Sequence, residues 1–131
     1  MTALKDFQFG AQVGTTSYNL IQNVIQPTKE TKVYDTNDAA VEALKNGQID
    51  GLVVDLPTAF YVTAVQVDNG VIVGQFSAPS DSEHFSVVLD KDSPLTACVN
   101  AAIGRLKDKG TLASITKEWL ADKANAPVFE P

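Results

Sequence analysis

The chain has 131 residues, of which 44% are hydrophobic and 20% charged, so it is long enough for one globular domain with a substantial core. This balance excludes a disordered chain, and no segment approaches the roughly 18 apolar residues of a membrane helix. The net charge of −6, with Arg105 as the only arginine, excludes the clustered basic residues that a nucleic-acid partner requires.

Strand and helix patterns alternate along the first two thirds of the chain. The predicted strands are residues 7–13, 31–34, 49–54, 71–76 and 85–89. Three helices are predicted in this part of the chain. The first spans residues 17–25, the second begins at a cap formed by Thr36 or Asn37 and ends at Gly47, and the third spans residues 57–66. Apolar strands separated by helices are typical of a mostly parallel sheet that helices cover on both faces. The sequence therefore predicts a three-layer α/β fold.

Two amphipathic helices are predicted in the last third. The first is predicted to start at Ser93 and Pro94 and to end at Gly110. Its apolar stripe consists of Leu95, Val99, Ala102, Ile103 and Leu106. A second helix opens at Thr111, with Leu112, Ile115, Trp119 and Leu120 on one face. Residues 124–131 are predicted to be a loop, so no strand is expected after these helices.

A turn rich in hydroxyl groups joins the first predicted strand to the first helix. Its sequence is Gly14-Thr15-Thr16-Ser17. Free backbone N–H groups, side-chain hydroxyls and the positive end of the helix dipole meet there, an arrangement that suits a small anion such as a carboxylate. The same residues are preferred caps of any helix, so an ordinary helix start is the alternative.

Asp55 directly follows the third predicted strand. Ligands of open α/β sheets bind beyond the carboxyl ends of the strands, so Asp55 is expected to lie beside the hydroxyl turn. A carboxylate on one side and hydrogen-bond donors on the other are complementary to the zwitterion of an amino acid. The alternative is that Asp55 caps the helix that begins near Pro57.

Residues that would indicate an enzyme are scarce. His84 is the only histidine, and no serine or cysteine partner accompanies it at a spacing typical of catalysis. No Cys/His cluster suits zinc, and no glycine-rich phosphate loop is present. Cys98 cannot form an internal disulfide and is expected to be a buried thiol. We therefore predict a protein that is not an enzyme and binds no cofactor or metal.

Four blocks of sequence carry a resemblance to a known family. They are residues 4–6 (LKD), 10–17 (GAQVGTTS), 43–55 (ALKNGQIDGLVVD) and 106–120 (LKDKGTLASITKEWL). In order and spacing they resemble the polar amino-acid-binding proteins of ABC importers, which have the type II periplasmic-binding-protein fold (solute-binding protein family 3). The resemblance implies that Thr15, Thr16 and Ser17 bind the α-carboxylate of a ligand and that Asp55 binds its α-amino group. Gln12 falls where some members place a residue that contacts the ligand side chain.

Members of this family close two lobes around a solute. The resemblance implies that residues 1–90 are the second lobe, residues 91–123 are helices that normally pack on the first lobe, and residues 124–131 are a tail. The first lobe, which supplies aromatic residues and an arginine in the family, has no counterpart in this sequence. We therefore expect part of a binding protein.

The resemblance also implies partners and a location. The expected ligand is a free polar amino acid, with glutamine and glutamate as candidates, and the expected partner is a membrane permease. The parent protein is expected to be extracytoplasmic, although no signal peptide is visible here. The apolar stripes of the C-terminal helices and the predicted edge strand at 85–89 suggest a homodimer, formed through these helices or by strand exchange. The alternatives are a small-molecule-sensing lobe of a regulator, a catalytic relative of the dehydratase kind, and an interaction module that binds no solute.

Overall fold

The computed structural model describes residues 2–76, 85–122 and 126–129, so His84 lies outside the described residues. These residues belong to two compact units. Residues 2–76 together with 126–129 form the first unit, and residues 85–122 belong to the second.

The first unit contains five short strands and three helices. Its elements are a 3-10 turn at Thr2–Leu4, β1 (Phe9–Gln12), α1 (Thr16–Leu20), β2 (Lys32–Tyr34), α2 (Asn37–Lys45), β3 (Gly51–Leu52), α3 (Leu56–Tyr61), β4 (Gln75–Phe76) and, late in the chain, β5 (Val128–Phe129). Two of the helices continue as π-helical segments, α1 through Ile21–Ile25 and α3 through Val62–Gln66.

Three strands form a parallel sheet in the order β2-β1-β3. The connection from β1 to β2 and the connection from β2 back past β1 to β3 run in opposite directions across the sheet. Because such crossovers are right-handed, α1 and α2 cover opposite faces. The predicted α/β fold with a parallel sheet between helices is therefore confirmed.

Alternate residues of β1 pack on the two faces of the sheet. Phe9 and Ala11 are buried in one cluster with Ile21 and Ile25 of the α1 helix and its π-helical extension. Gly10 points the other way, and a Cβ added there would lie 2.6 Å from Cδ1 of the buried Ile49. The close approach of Ile49 explains why a glycine occupies the middle of this strand.

The structure shortens the predicted strands and corrects the predicted tail. Residues 49–54 contain only a two-residue strand, because β3 pairs with β1 at Phe9 and Gly10 alone. Residues 71–76 likewise contain only β4. The tail, predicted to be a loop, contains β5, which pairs in parallel with β4. The rings of Phe76 and Phe129 lie 5.4 Å apart and hold this two-stranded contact together.

The described part of the second unit, residues 85–122, contains two helices and, before them, a segment without regular structure. Its helices are α4 (Thr96–Asp108) and α5 (Thr111–Thr116), and α5 continues as a π-helical segment over Lys117–Asp122. The predicted start at Ser93 and Pro94 was wrong by two residues, because α4 begins at Thr96 with Leu95 as its N-cap. The hydroxyl of Ser93 accepts a hydrogen bond from the Leu95 N–H in a turn that precedes α4.

Two further predictions in this unit were wrong. Residues 85–89 have no regular structure, because they pair with no strand among the described residues, and Val88 is 91% exposed. Cys98 is exposed rather than buried. Among residues 2–76, 85–122 and 126–129, no helix combines the length and apolar character needed to cross a bilayer.

Candidate ligand-binding site

A cavity of about 210 Å³ lies in the first unit, beyond the carboxyl ends of the strands. Its lining residues are Thr15, Thr16, Ser17, Asn37, Val53, Val54 and Asp55. The turn after β1 and the residues after β3 meet here because the two strands are paired neighbours. The strand order also reverses at β1, which has β2 on one side and β3 on the other, and such a reversal is the usual place for a ligand in these sheets.

Thr15 is the N-cap of α1. Its Oγ1 accepts a hydrogen bond from the Tyr18 N–H at 3.2 Å and donates one to the Gln12 carbonyl at 2.8 Å. The Thr15 hydroxyl proton is therefore already used within the turn. Gly14, with φ of +71°, provides the left-handed backbone that redirects the chain from β1 into this cap.

Thr16 and Ser17 retain free donors at the cavity. Their hydroxyl groups make no hydrogen bond within the described part of the chain. The backbone N–H groups of the first helical residues have no intrahelical partner either. Because the helix dipole adds partial positive charge at the same point, this wall of the cavity favours an anion.

Asp55 provides the negative charge of the cavity and also caps α3. Its Oδ1 accepts a hydrogen bond from the Thr58 N–H at 3.1 Å, and its Oδ2 accepts one from Thr58 Oγ1 at 2.7 Å. The capping role considered for this residue is therefore real. A carboxylate has about four acceptor positions, so two remain for a bound cation.

The remaining predicted residue, Gln12, does not line the cavity. Its carbonyl oxygen accepts the Thr15 hydroxyl, and its side chain is half-buried. Contact of Gln12 with a ligand side chain stays a prediction.

Sequence reasoning missed Asn37 as a cavity residue. It was considered only as a possible cap, whereas Thr36 caps α2 by accepting a hydrogen bond from the Ala39 N–H at 3.1 Å. Asn37 lies one residue later and lines the cavity with a half-buried side chain. Its position after the carboxyl end of β2 was the available signal, because the loops after all three parallel strands meet at one edge.

The lining of the cavity thus includes hydrogen-bond donors at the turn and the carboxylate of Asp55. Val53 and Val54, which directly precede Asp55 in the chain, add apolar surface. This arrangement can bind a small molecule that carries both charges. Within the described ranges, no group of three histidine, cysteine, aspartate or glutamate residues could hold a metal ion.

The chain is similar to part of two curated amino-acid-binding proteins. The chain is 30% identical over 112 residues to the glutamate-binding protein GluB of Corynebacterium glutamicum, a match that covers 83% of this chain and 38% of the relative. It is 26% identical over 117 residues to the L-cystine-binding protein TcyJ of Escherichia coli strain K12, covering 88% of this chain and 42% of the relative. The chain therefore spans about two fifths of the length of these curated relatives.

A solved structure and the protein-family models complete the comparison. The structure is an Ancestral Cationic Amino Acid Solute Binding Protein, 21% identical, with a TM-score of 0.48 and coverage of 88% of this chain and 48% of the other. No protein-family model matches the chain. The sequence relatives are named for binding amino acids and not for a reaction, which agrees with the prediction that the chain is not an enzyme. The resemblance inferred from the sequence is therefore confirmed: the chain is similar to part of the amino-acid-binding proteins.

Proposed function

We propose that this chain is part of the solute-binding component of an importer for polar amino acids, and that its cavity holds the charged backbone groups of the ligand. One observation carries the proposal. The donor-rich turn at Thr15–Ser17 and the carboxylate of Asp55 line the same cavity. The cavity, at about 210 Å³, lies below the roughly 300–1,000 Å³ of sites for drug-sized molecules and suits a single amino acid.

The α-carboxylate of the ligand is assigned to the turn. The hydroxyls of Thr16 and Ser17 and the backbone N–H groups at the start of α1 are its donors. Thr15 contributes by fixing the turn, because its own hydroxyl is used in the cap. Hydrogen bonds between a carboxylate and such groups are charge-assisted and stronger than neutral ones.

The α-amino group of the ligand is assigned to Asp55. The two hydrogen bonds from Thr58 leave acceptor capacity on both carboxylate oxygens, and Asp55 lines the cavity. Gln12 remains the proposed contact for the ligand side chain. Glutamate and glutamine are the first candidates, and the relatives named for binding glutamate and cystine support the class of ligand.

The wider setting follows from the family resemblance. We infer that the parent protein is extracytoplasmic and delivers its ligand to a membrane permease, with no nucleic-acid partner and no cofactor. We also propose a homodimer through the second unit, since Leu95 and Ile115 of its apolar stripes are 59% and 49% exposed.

Calorimetry on the 131-residue chain tests the proposed site. L-glutamate, L-glutamine and L-cystine are titrated in turn, beside glutarate, which keeps both carboxylates of glutamate but lacks the amino group. We expect at least one amino acid to bind, and glutarate to bind more weakly than L-glutamate. Absence of heat with every amino acid, or equal affinity for glutarate and L-glutamate, would contradict the assignment.

A further inference from the structure

Thr58 holds both oxygens of the Asp55 carboxylate with two different donors. Its backbone N–H reaches Oδ1 at 3.1 Å, and its hydroxyl reaches Oδ2 at 2.7 Å. The first bond is the ordinary cap of a helix, which any residue at this position supplies through its backbone. The second bond depends on the threonine side chain, and the cap does not require it.

The second bond restricts the orientation of the carboxylate. A carboxylate held at one oxygen can still turn about its last torsion, which has a broad energy profile. Donors on both oxygens fix that torsion and therefore the directions of the acceptor positions that remain. Holding a binding group in its productive orientation before the ligand arrives lowers the entropy cost of binding.

Thr58 acts from outside the cavity. Asp55 lines the cavity and Thr58 does not, so the hydroxyl occupies an acceptor position without occupying the space of a ligand. Thr58 itself is half-buried, whereas Asp55 is exposed. The carboxylate is thus supported on its helix side and left open on its cavity side.

We infer that Thr58 is a positioning residue for recognition of the ligand's ammonium group, acting through Asp55. The inference rests on the proposed function, because it gives Thr58 a role at the same site. A purely structural role, in which Thr58 only strengthens the start of α3, makes a different prediction. It would change stability without discriminating between ligands that have and lack an amino group.

The test uses the full chain and two substitutions. Thr58→Val keeps the shape and the backbone bond to Oδ1 but removes the hydroxyl, and Thr58→Ser keeps the hydroxyl. The affinities of L-glutamate and glutarate are measured for both variants and for the unsubstituted chain, and urea unfolding checks that each variant is folded. In Thr58→Val we expect affinity for L-glutamate to fall about threefold to tenfold, the range for one hydrogen bond, with the glutarate affinity unchanged. Thr58→Ser should restore the L-glutamate affinity.

Each outcome is decisive. If the unsubstituted chain binds glutarate as tightly as L-glutamate, or binds no amino acid at all, the proposed function fails and the role of Thr58 fails with it. If it binds L-glutamine or L-cystine instead of L-glutamate, the same comparison is made with that amino acid and its analogue without the α-amino group. If the chain prefers L-glutamate but Thr58→Val binds it unchanged, only the inference on Thr58 is wrong. Equal losses for both ligands would also overturn it, because they would indicate a general disturbance of the site. A Thr58→Val chain that is unfolded in buffer is replaced by Thr58→Ala, for which the same comparison holds.

Discussion

Asp55 combines a structural role and a proposed binding role in one carboxylate. It caps α3 through Thr58 and lines the cavity. Asn caps helices about as well as Asp, so Asp55→Asn separates the two roles. We expect about a tenfold loss of L-glutamate affinity, since hydrogen bonds to charged groups are worth about 1.5–3 kcal/mol and exposure of Asp55 reduces that value.

Asp68→Asn is the matched control for this substitution. It removes the same charge from an exposed residue of the first unit that does not line the cavity. Calorimetry should show nearly unchanged affinity for the control, and urea unfolding should show nearly unchanged stability for both variants. Equal affinities of Asp55→Asn and Asp68→Asn would remove Asp55 from the site.

The neighbouring residues Thr15 and Thr16 are expected to respond differently to valine. Thr15→Val removes a cap and should lower the free energy of unfolding by about 1 kcal/mol. Thr16→Val should leave stability nearly unchanged. It should lower the affinity for L-glutamate more than the affinity for L-isoglutamine, the α-amide of glutamate, because only L-glutamate has a full α-carboxylate. Equal losses for these two ligands would contradict the role of Thr16.

These residues also show what the sequence could predict at this scale. The hydroxyl run and Asp55 were identifiable because turn residues and a charge directly follow apolar strands. The different roles of the hydroxyls could not be predicted, because they depend on which hydroxyl accepts a hydrogen bond from the Tyr18 N–H. Thr58 was missed for a similar reason, since a half-buried side chain in the first turn of a helix has no distinctive pattern. Asn37 was missed although its position after β2 indicated the cavity edge.

At the scale of elements, the contact between β1 and the helix that follows it forms one cluster of the buried core. Ile21 is fully buried in the cluster with Phe9 and Ala11. Ile21→Ala should lower the free energy of unfolding by about 2–5 kcal/mol, the range for a cavity left in a packed core. Val65→Ala, at a position 66% exposed in the same unit, should cost clearly less. Urea unfolding of the two variants gives the comparison, and similar losses would contradict the assigned core.

Helices were better predicted than strands for a physical reason. The periodicity and caps of α2 are local, and Thr36 and Gly47 mark its limits in the sequence. A strand exists only where another strand pairs with it. The apolar run at 85–89 was therefore predicted as a strand and has no regular structure, whereas β5 was too short to be noticed.

For the molecule as a whole, the second unit exposes much of its apolar surface. Side chains of this kind each contribute roughly 1.5–3 kcal/mol when fully buried, so pairing of two chains is favourable. We expect sedimentation at micromolar concentration to show a dimer. Ile115→Glu should shift the protein toward the monomer, while the nearby Lys117→Glu, which also adds negative charge, should shift it less. A monomer for the unsubstituted chain would contradict the proposed pairing.

The most direct test of the proposed site is an NMR titration of the isotopically labelled chain with L-glutamate, followed at the backbone amides. We expect saturable shifts at residues 15–17 and 55–58, with little change in α4 and α5. Shifts confined to α4 and α5, or none at ligand concentrations in the millimolar range, would contradict the assignment of this cavity as the amino-acid site.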